Sequence, residues 1–285
     1  SDVCSSDLSR LRAESDKSAG LLLDDFVERS FTYPGIQTVH RQPWIGIFHH
    51  TPRMPAWMVN KASPQNYLQS SRFRESLPYL KAVITLSDYT AEWYGTQLAL
   101  PATSLRYALP QLGYTWRPTL NRRVWQFGWY LRNTSLLDQI QTPLARLKPK
   151  LSGVAAEHAA LVEAYWRQRG NRATHPGVQV VDRLTNADYD AALQQDLVAV
   201  EYFDVGASTL LLECLAAATP VVCGYHPAIA EYLGADYPLY ADGPHHFAAM
   251  LTDENAIMDA HVYLRECRKQ ACTLDGFMQQ LHQFL

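Results

Sequence analysis

Short apolar runs alternate with segments of helical periodicity along most of this chain. Trp44-Ile-Gly-Ile-Phe48, Ala82-Val-Ile-Thr-Leu86 and Ser104-Leu-Arg-Tyr-Ala108 are compact, turn-bounded runs and read as strands. Leu21 to Phe31 spaces its apolar residues as a short amphipathic helix does. Ser63 to Leu80 mixes turn and helix signals, and Ser87 and Asp88 are placed to cap a helix over Tyr89 to Ala99. Pro110, Gly113 and Pro118 then punctuate a stretch with no apolar period, which reads as a linker. A second alternation follows. Its strands are Arg123 to Phe127, Val178 to Val181, Leu197 to Tyr202 and Val221 to Cys223, and its helices are Ala155 to Gln168, Ala187 to Gln194 and Thr209 to Ala218. The tail from His245 to Leu285 is mostly helical. Strands that alternate with helices predict parallel sheets built from βαβ units, here in two α/β halves.

Composition narrows this picture. A length of 285 residues fits two domains, expected over 9–118 and 119–285. Hydrophobic residues at 47% and charged residues at 19% allow a sizeable core. A net charge of −3 without a long basic run argues against nucleic acid as a partner. No apolar stretch approaches the roughly 20 residues that span a bilayer, so no transmembrane segment is expected. The five cysteines, at 4, 214, 223, 267 and 272, form no CxxC pair; they read as reduced thiols and point to a cytoplasmic setting, with a peripheral place at the inner membrane as a variant of it. Residues 1–8 lack periodicity and a starting Met, and they resemble translated sequencing-adapter sequence. The expectation is a metagenomic fragment of a bacterial gene whose N-terminal half lacks its first strands.

The chemistry concentrates in Asp204-Val-Gly-Ala-Ser-Thr-Leu-Leu-Leu-Glu213 and the Thr219-Pro-Val-Val-Cys223 run that follows. Ser208 and Thr209 sit where a helix N-cap belongs, and Gly206 permits close backbone approach. The free N–H groups at the start of such a helix suit a phosphate. Glu213, about one turn further in, can accept hydrogen bonds from sugar hydroxyls, as an acidic residue does for ribose in dinucleotide folds. From Glu213 to Gly234 this segment resembles the donor-binding motif of GT-B glycosyltransferases of the bacterial group 1 type, built from two Rossmann-like domains. Asp204 and Glu213 stand nine positions apart (213 − 204), one more than the family spacing, so the resemblance bears on Glu213 more than on Asp204.

Further candidates lie after other strand ends. Gly128 permits a tight turn, and Arg132 is a candidate for the donor diphosphate, because a guanidinium matches phosphate oxygens bidentately. The family places a basic residue directly after this Gly, where Trp129 stands here. The resemblance places Leu184 and Thr185 near the nucleobase. His49 and His50, ending the Trp44–Phe48 run, are candidates to face the sugar or acceptor and to serve in catalysis. Arg53 could meet an anionic acceptor or the donor phosphates, and His226, before Pro227, is a possible contact of the transferred sugar. No metal motif stands out, and the family neutralises its leaving diphosphate with basic side chains and helix N-termini; no metal and no cofactor are therefore expected.

The resemblance implies a transferase that moves a sugar from a nucleotide-diphosphate donor to a glycan, lipid or small-molecule acceptor, with retention of configuration. Two alternatives stand beside it: a sugar-nucleotide epimerase of the same fold, which needs further acid/base carboxylates, and a non-catalytic nucleotide-sugar-binding fragment.

Overall fold

The computed structural model describes residues 20–33, 38–60, 62–169 and 175–283; the adapter-like residues 1–8 lie outside this set. The chain divides into two compact units. The first holds the described residues up to Ala108, the segment Val205–Ala207 and the described residues from Cys272 onward. The second holds Leu109–Asp204 and Ser208–Ala271. Both are parallel sheets flanked by helices, as the alternation predicts.

In the first unit, β1 (Leu22–Asp24), β2 (Trp44–Phe48), β3 (Leu80–Thr85) and β4 (Ala102–Ser104) run parallel in that order. Every residue of β2 is buried, so its apolar run is continuous instead of alternating. The amphipathic helix expected over Leu21 to Phe31 is instead a strand followed by a six-residue helix, Val27–Thr32. Leu22 and Leu23 pair with Trp44 and Ile45. Asp24 then turns the chain: its Oδ1 accepts from the Phe26 N–H (3.2 Å) and from Ser30 Oγ (3.0 Å). Pairing with a buried neighbour overrides a periodicity only three turns long. Ser87 caps the helix Asp88–Leu98 by accepting from the Thr90 N–H.

The tail was expected with the second half. Its last helix, Leu274–His282, belongs to the first unit, where Phe277 and Leu281 pack against Ile45, Ile47 and Ile84. That burial fixes its place, since apolar area and not chain proximity decides where an amphipathic helix docks.

In the second unit, the order is β7-β6-β5-β8-β9, all parallel, with β5 at Val124–Trp125, β6 at Arg146–Pro149, β7 at Val178–Val181, β8 at Leu197–Val200 and β9 at Val221–Cys223. Strand β6 has no counterpart in the sequence reading. Arg146 is 6% exposed, and its guanidinium donates to the carbonyls of Leu137 (2.8 Å), Ile140 (2.7 Å) and Pro176 (2.6 Å). The stretch read as a linker is anchored too: Trp116 is buried, and its indole N–H donates to the Asp196 carbonyl (2.9 Å). Helix Thr209–Ala217 is buried from Leu210 to Ala217, which makes it the central helix of the unit.

Candidate functional site

The strand order of the second unit locates a crevice. From β5 the chain proceeds outward to β6 and β7, then returns to the other side of β5 for β8 and β9. In an open parallel sheet the two loops that leave such a reversal point diverge, and ligands bind beyond the carboxyl ends of its strands. Here those are the loops after β5 and β8. They do not part at once: Asn133 N–H donates to Glu201 O (2.9 Å) and Phe203 N–H to Leu131 O (2.8 Å), with an isolated bridge between Arg132 and Tyr202, so the loops separate only beyond these residues.

Arg132 occupies this point. Its Nη1 donates to the Phe127 carbonyl and its Nη2 to Ser208 Oγ (3.4 Å), while its Cζ lies 5.3 Å from the centre of the Tyr202 ring. Its Nε is buried with no hydrogen-bond partner among the described residues. Gly128 has φ +73°, and a Cβ built there would overlap the Arg132 guanidinium. A Cβ at this position is therefore disfavoured twice, by the backbone and by the arginine. Ser208 caps helix Thr209–Ala217 by accepting from the Leu211 N–H, and its hydroxyl also meets Tyr202 Oη (2.6 Å). Thr209, the first helical residue, is exposed.

Glu213 is 8% exposed and accepts a hydrogen bond from the Tyr189 hydroxyl. Tyr189 in turn packs edge-on against Phe127 at 4.8 Å. Burial raises the Glu213 pKa above the ordinary carboxylate value; the Tyr189 hydrogen bond and the Arg132 charge oppose that shift. A carboxyl with a raised folded pKa binds more protons in the native state than in the unfolded one. Stability therefore falls as pH climbs from the ordinary carboxylate range through the raised value. Glu213→Gln keeps an acceptor for Tyr189 and removes the charge. It is expected to flatten this slope and to unfold at higher denaturant than the parent near pH 7. Urea titrations from about pH 4 to about pH 8 check this; an unaltered slope in the variant would dismiss Glu213 as its source.

The other candidates divide. Asp204 is 1% exposed, and the His226 Nε2–H donates to its Oδ1 (3.0 Å). His226 Nδ1 accepts from the Ala228 N–H (3.2 Å), which fixes the tautomer and makes His226 the N-cap of helix Pro227–Leu233. Thr185 caps helix Asn186–Gln195 and is exposed, with Leu184 half-buried beside it. Gly206 groups with the first unit, where a Cβ on it would lie 3.2 Å from Thr90 Cγ2 and 3.4 Å from Thr51 Cγ2.

In the first unit, His49 and His50 form the turn after β2 and are half-buried. Glu28, fully buried on helix Val27–Thr32, accepts at Oε1 from both of their backbone N–H groups, at 3.0 and 2.8 Å. The Tyr94 hydroxyl donates to the His50 carbonyl (3.0 Å) and meets Tyr67 Oη (2.6 Å), which reaches Glu28 Oε1 at 3.4 Å. The His50 peptide is thus held on both its N–H and its C=O side. His49 Nε2–H donates to the Asp25 carbonyl (2.9 Å), so in the neutral ring Nδ1 is the acceptor, 3.4 Å from Tyr107 Oη. His50 Nδ1–H donates to the Ala62 carbonyl (2.6 Å). Arg53 is exposed, its Cζ 5.6 Å from the centre of the Tyr89 ring.

The sequence reading missed Glu28, Asn133, Tyr189, Glu201 and Tyr202. Tyr202 closes the strand run that was read, so only its loop position was legible. Glu201 is raised in pKa by burial while Asn133 Nδ2 donates to its Oε2 (2.6 Å). No sequence signal marks either as polar crevice residues. Glu28 lay inside a segment read as an amphipathic helix, where an acidic residue suggests a solvated face.

No protein-family model matches the chain, and no curated protein matches it in sequence. Solved structures do resemble it. HepE from Anabaena, solved with UDP-glucose, superposes with a TM-score of 0.62 at 13% identity, over 86% of this chain and 72% of its own. Sucrose-phosphate synthase from Thermosynechococcus elongatus gives 0.63 at 15% identity, over 96% of this chain and 75% of its own. The UDP-forming α,α-trehalose-phosphate synthase from Burkholderia vietnamiensis gives 0.55 at 11% identity, over 85% and 68%. Together with the two parallel sheets, these likenesses establish the fold: two Rossmann-like α/β units, as in the GT-B glycosyltransferases.

Proposed function

We propose that the chain is a glycosyltransferase that moves a sugar from a nucleoside-diphosphate donor to an acceptor hydroxyl. The observation that carries this reading is the Arg132 guanidinium at the reversal point of the second sheet, with an unpartnered Nε and Ser208 beside it at a helix start. A guanidinium and free helix-terminal N–H groups form an anion site together. HepE, of the same fold, was solved with UDP-glucose, which supports a nucleoside diphosphate as the anion.

In transfer, the bond between the anomeric carbon and the diphosphate oxygen breaks, the acceptor oxygen bonds to that carbon, and the acceptor proton leaves. Arg132 and the start of helix Thr209–Ala217 stabilise the charge on the departing diphosphate, and this reading assigns that task to no metal. Glu213 holds the ribose hydroxyls, and the His49–His50 turn serves the sugar or acceptor. Retention of configuration follows the family resemblance.

Arg132→Ala is expected to weaken UDP binding about tenfold to a hundredfold while leaving uridine unchanged, read by calorimetry. Equal losses for both ligands would remove Arg132 from the phosphates. Incubation with labelled nucleotide sugars then separates transfer from epimerisation, hydrolysis or binding alone.

A further inference from the structure

A second cavity of about 750 Å³ lies within the second unit, between the loop after β5, the end of β6 and helix Val154–Gln168. Its size falls within the range of small-molecule sites. Its chemistry differs from that of the Arg132 crevice. Charges in the lining are matched: Asp138 with Lys148 at 2.7 Å, and Glu163 with Arg167 at 2.6 Å. Lys150 adds one further cation at the wall, too little to select a polyanion. Ala156, Ala159 and Ala160 make one wall low and flat, so a ring can approach the helix closely.

Two groups point to a ligand. Thr134 is 6% exposed, lines the cavity, and its Oγ1 is buried with no hydrogen-bond partner among the described residues. A buried hydroxyl without a partner is costly, and a turn of the Thr134 side chain toward the cavity would let a ligand hydroxyl relieve it. Trp166 also lines the cavity, and its indole N–H is fixed on Asn133 Oδ1 (2.9 Å), which holds the ring in place. The negative face of an indole attracts the polarised C–H groups on one face of a sugar ring. Matched ion pairs, hydroxyl and amide groups and one fixed aromatic suit a ligand that is uncharged and rich in hydroxyls.

We propose that this cavity binds a short neutral saccharide. The assignment stands on the cavity's own lining and does not require the donor reading.

The full chain is titrated with neutral disaccharides built from glucose, galactose, mannose and N-acetylglucosamine, and separately with UDP and with inorganic phosphate. At least one disaccharide is expected to bind. Thr134→Val, which keeps the shape and deletes the hydroxyl, should weaken it about tenfold. Ala160→Phe fills the cavity from an exposed helix position and should abolish it, with the thermal unfolding midpoint preserved. Failure of every disaccharide at millimolar concentration, phosphate as the only ligand affected by Ala160→Phe, or saccharide binding that survives that substitution would each overturn the proposal. Saccharide binding without UDP binding would uphold the cavity and defeat the donor reading.

Discussion

Glu28→Ala is expected to lower stability by about 1–3 kcal/mol, because it leaves two part-buried backbone N–H groups without an acceptor, each near the low end of the roughly 1–3 kcal/mol that a fully buried one costs. Those N–H groups belong to His49 and His50, and a single oxygen serves both. The helix that carries Glu28 is only six residues long, so its capping and packing cannot make good the loss. Glu28→Gln retains the Oε1 acceptor and is expected to recover part of the stability. The recovery is partial because its NH₂ takes the place of Oε2, which is buried without a partner among the described residues. The same substitution separates positioning from folding. If the turn presents the histidines for catalysis, His49→Ala or His50→Ala keeps UDP affinity and loses turnover, and Glu28→Gln stays close to the parent in both. Denaturant unfolding and steady-state kinetics on the four variants check this. A Glu28→Ala protein as stable as the parent would mean that the carboxylate does not hold the turn.

What the sequence made legible follows from where each signal resides. Buried parallel strands are read from apolar runs alone, and β2, β3, β8 and β9 are such runs. Strand β6 is not: Arg146-Leu-Lys-Pro carries two cations and a proline, and its place in the sheet comes from three carbonyls that accept from a buried guanidinium. No local pattern encodes that arrangement. The start of the chain shows the converse error, since Leu22 and Leu23 fit a helical stripe until Trp44 and Ile45 are there to pair with them. Around the crevice, the positions of Gly128, Arg132 and Ser208 were legible because each lies in a strand-end loop or at a helix start, and that of Glu213 because it lies about one turn into the same helix. Their partners were not. Tyr189 reaches Glu213 from 24 residues upstream, and Asn133 reaches Glu201 from 68 residues upstream. Such pairs exist only once the sheet order is fixed. Asp204 teaches a further point: a carboxylate in a donor-like motif can be spent on a neighbouring histidine, here His226, and be almost fully buried.

Gly128 and Arg132 are expected to behave as one unit. A Cβ at position 128 has two separate costs. One is backbone strain, since φ is +73°, where side chains with a Cβ are disfavoured by roughly 1–2 kcal/mol. The other is steric overlap with the Arg132 guanidinium, which is tethered at the Phe127 carbonyl and at Ser208 and cannot yield without breaking those bonds. Only the second cost disappears when Arg132 is absent. Gly128→Ala alone should therefore weaken UDP binding nearly as much as Arg132→Ala, by displacing the guanidinium. In the Arg132→Ala background the same substitution should have almost no effect on UDP affinity and should cost stability only through the backbone. The coupling energy from this double-mutant cycle is expected at about 1–3 kcal/mol, in the upper part of the roughly 0.5–3 kcal/mol range for residues in contact. Calorimetry with UDP on the parent, both single variants and the double variant measures it. Additive losses in affinity would show that the glycine acts on the ligand through its own backbone. The arginine would then hold its position without help from the turn.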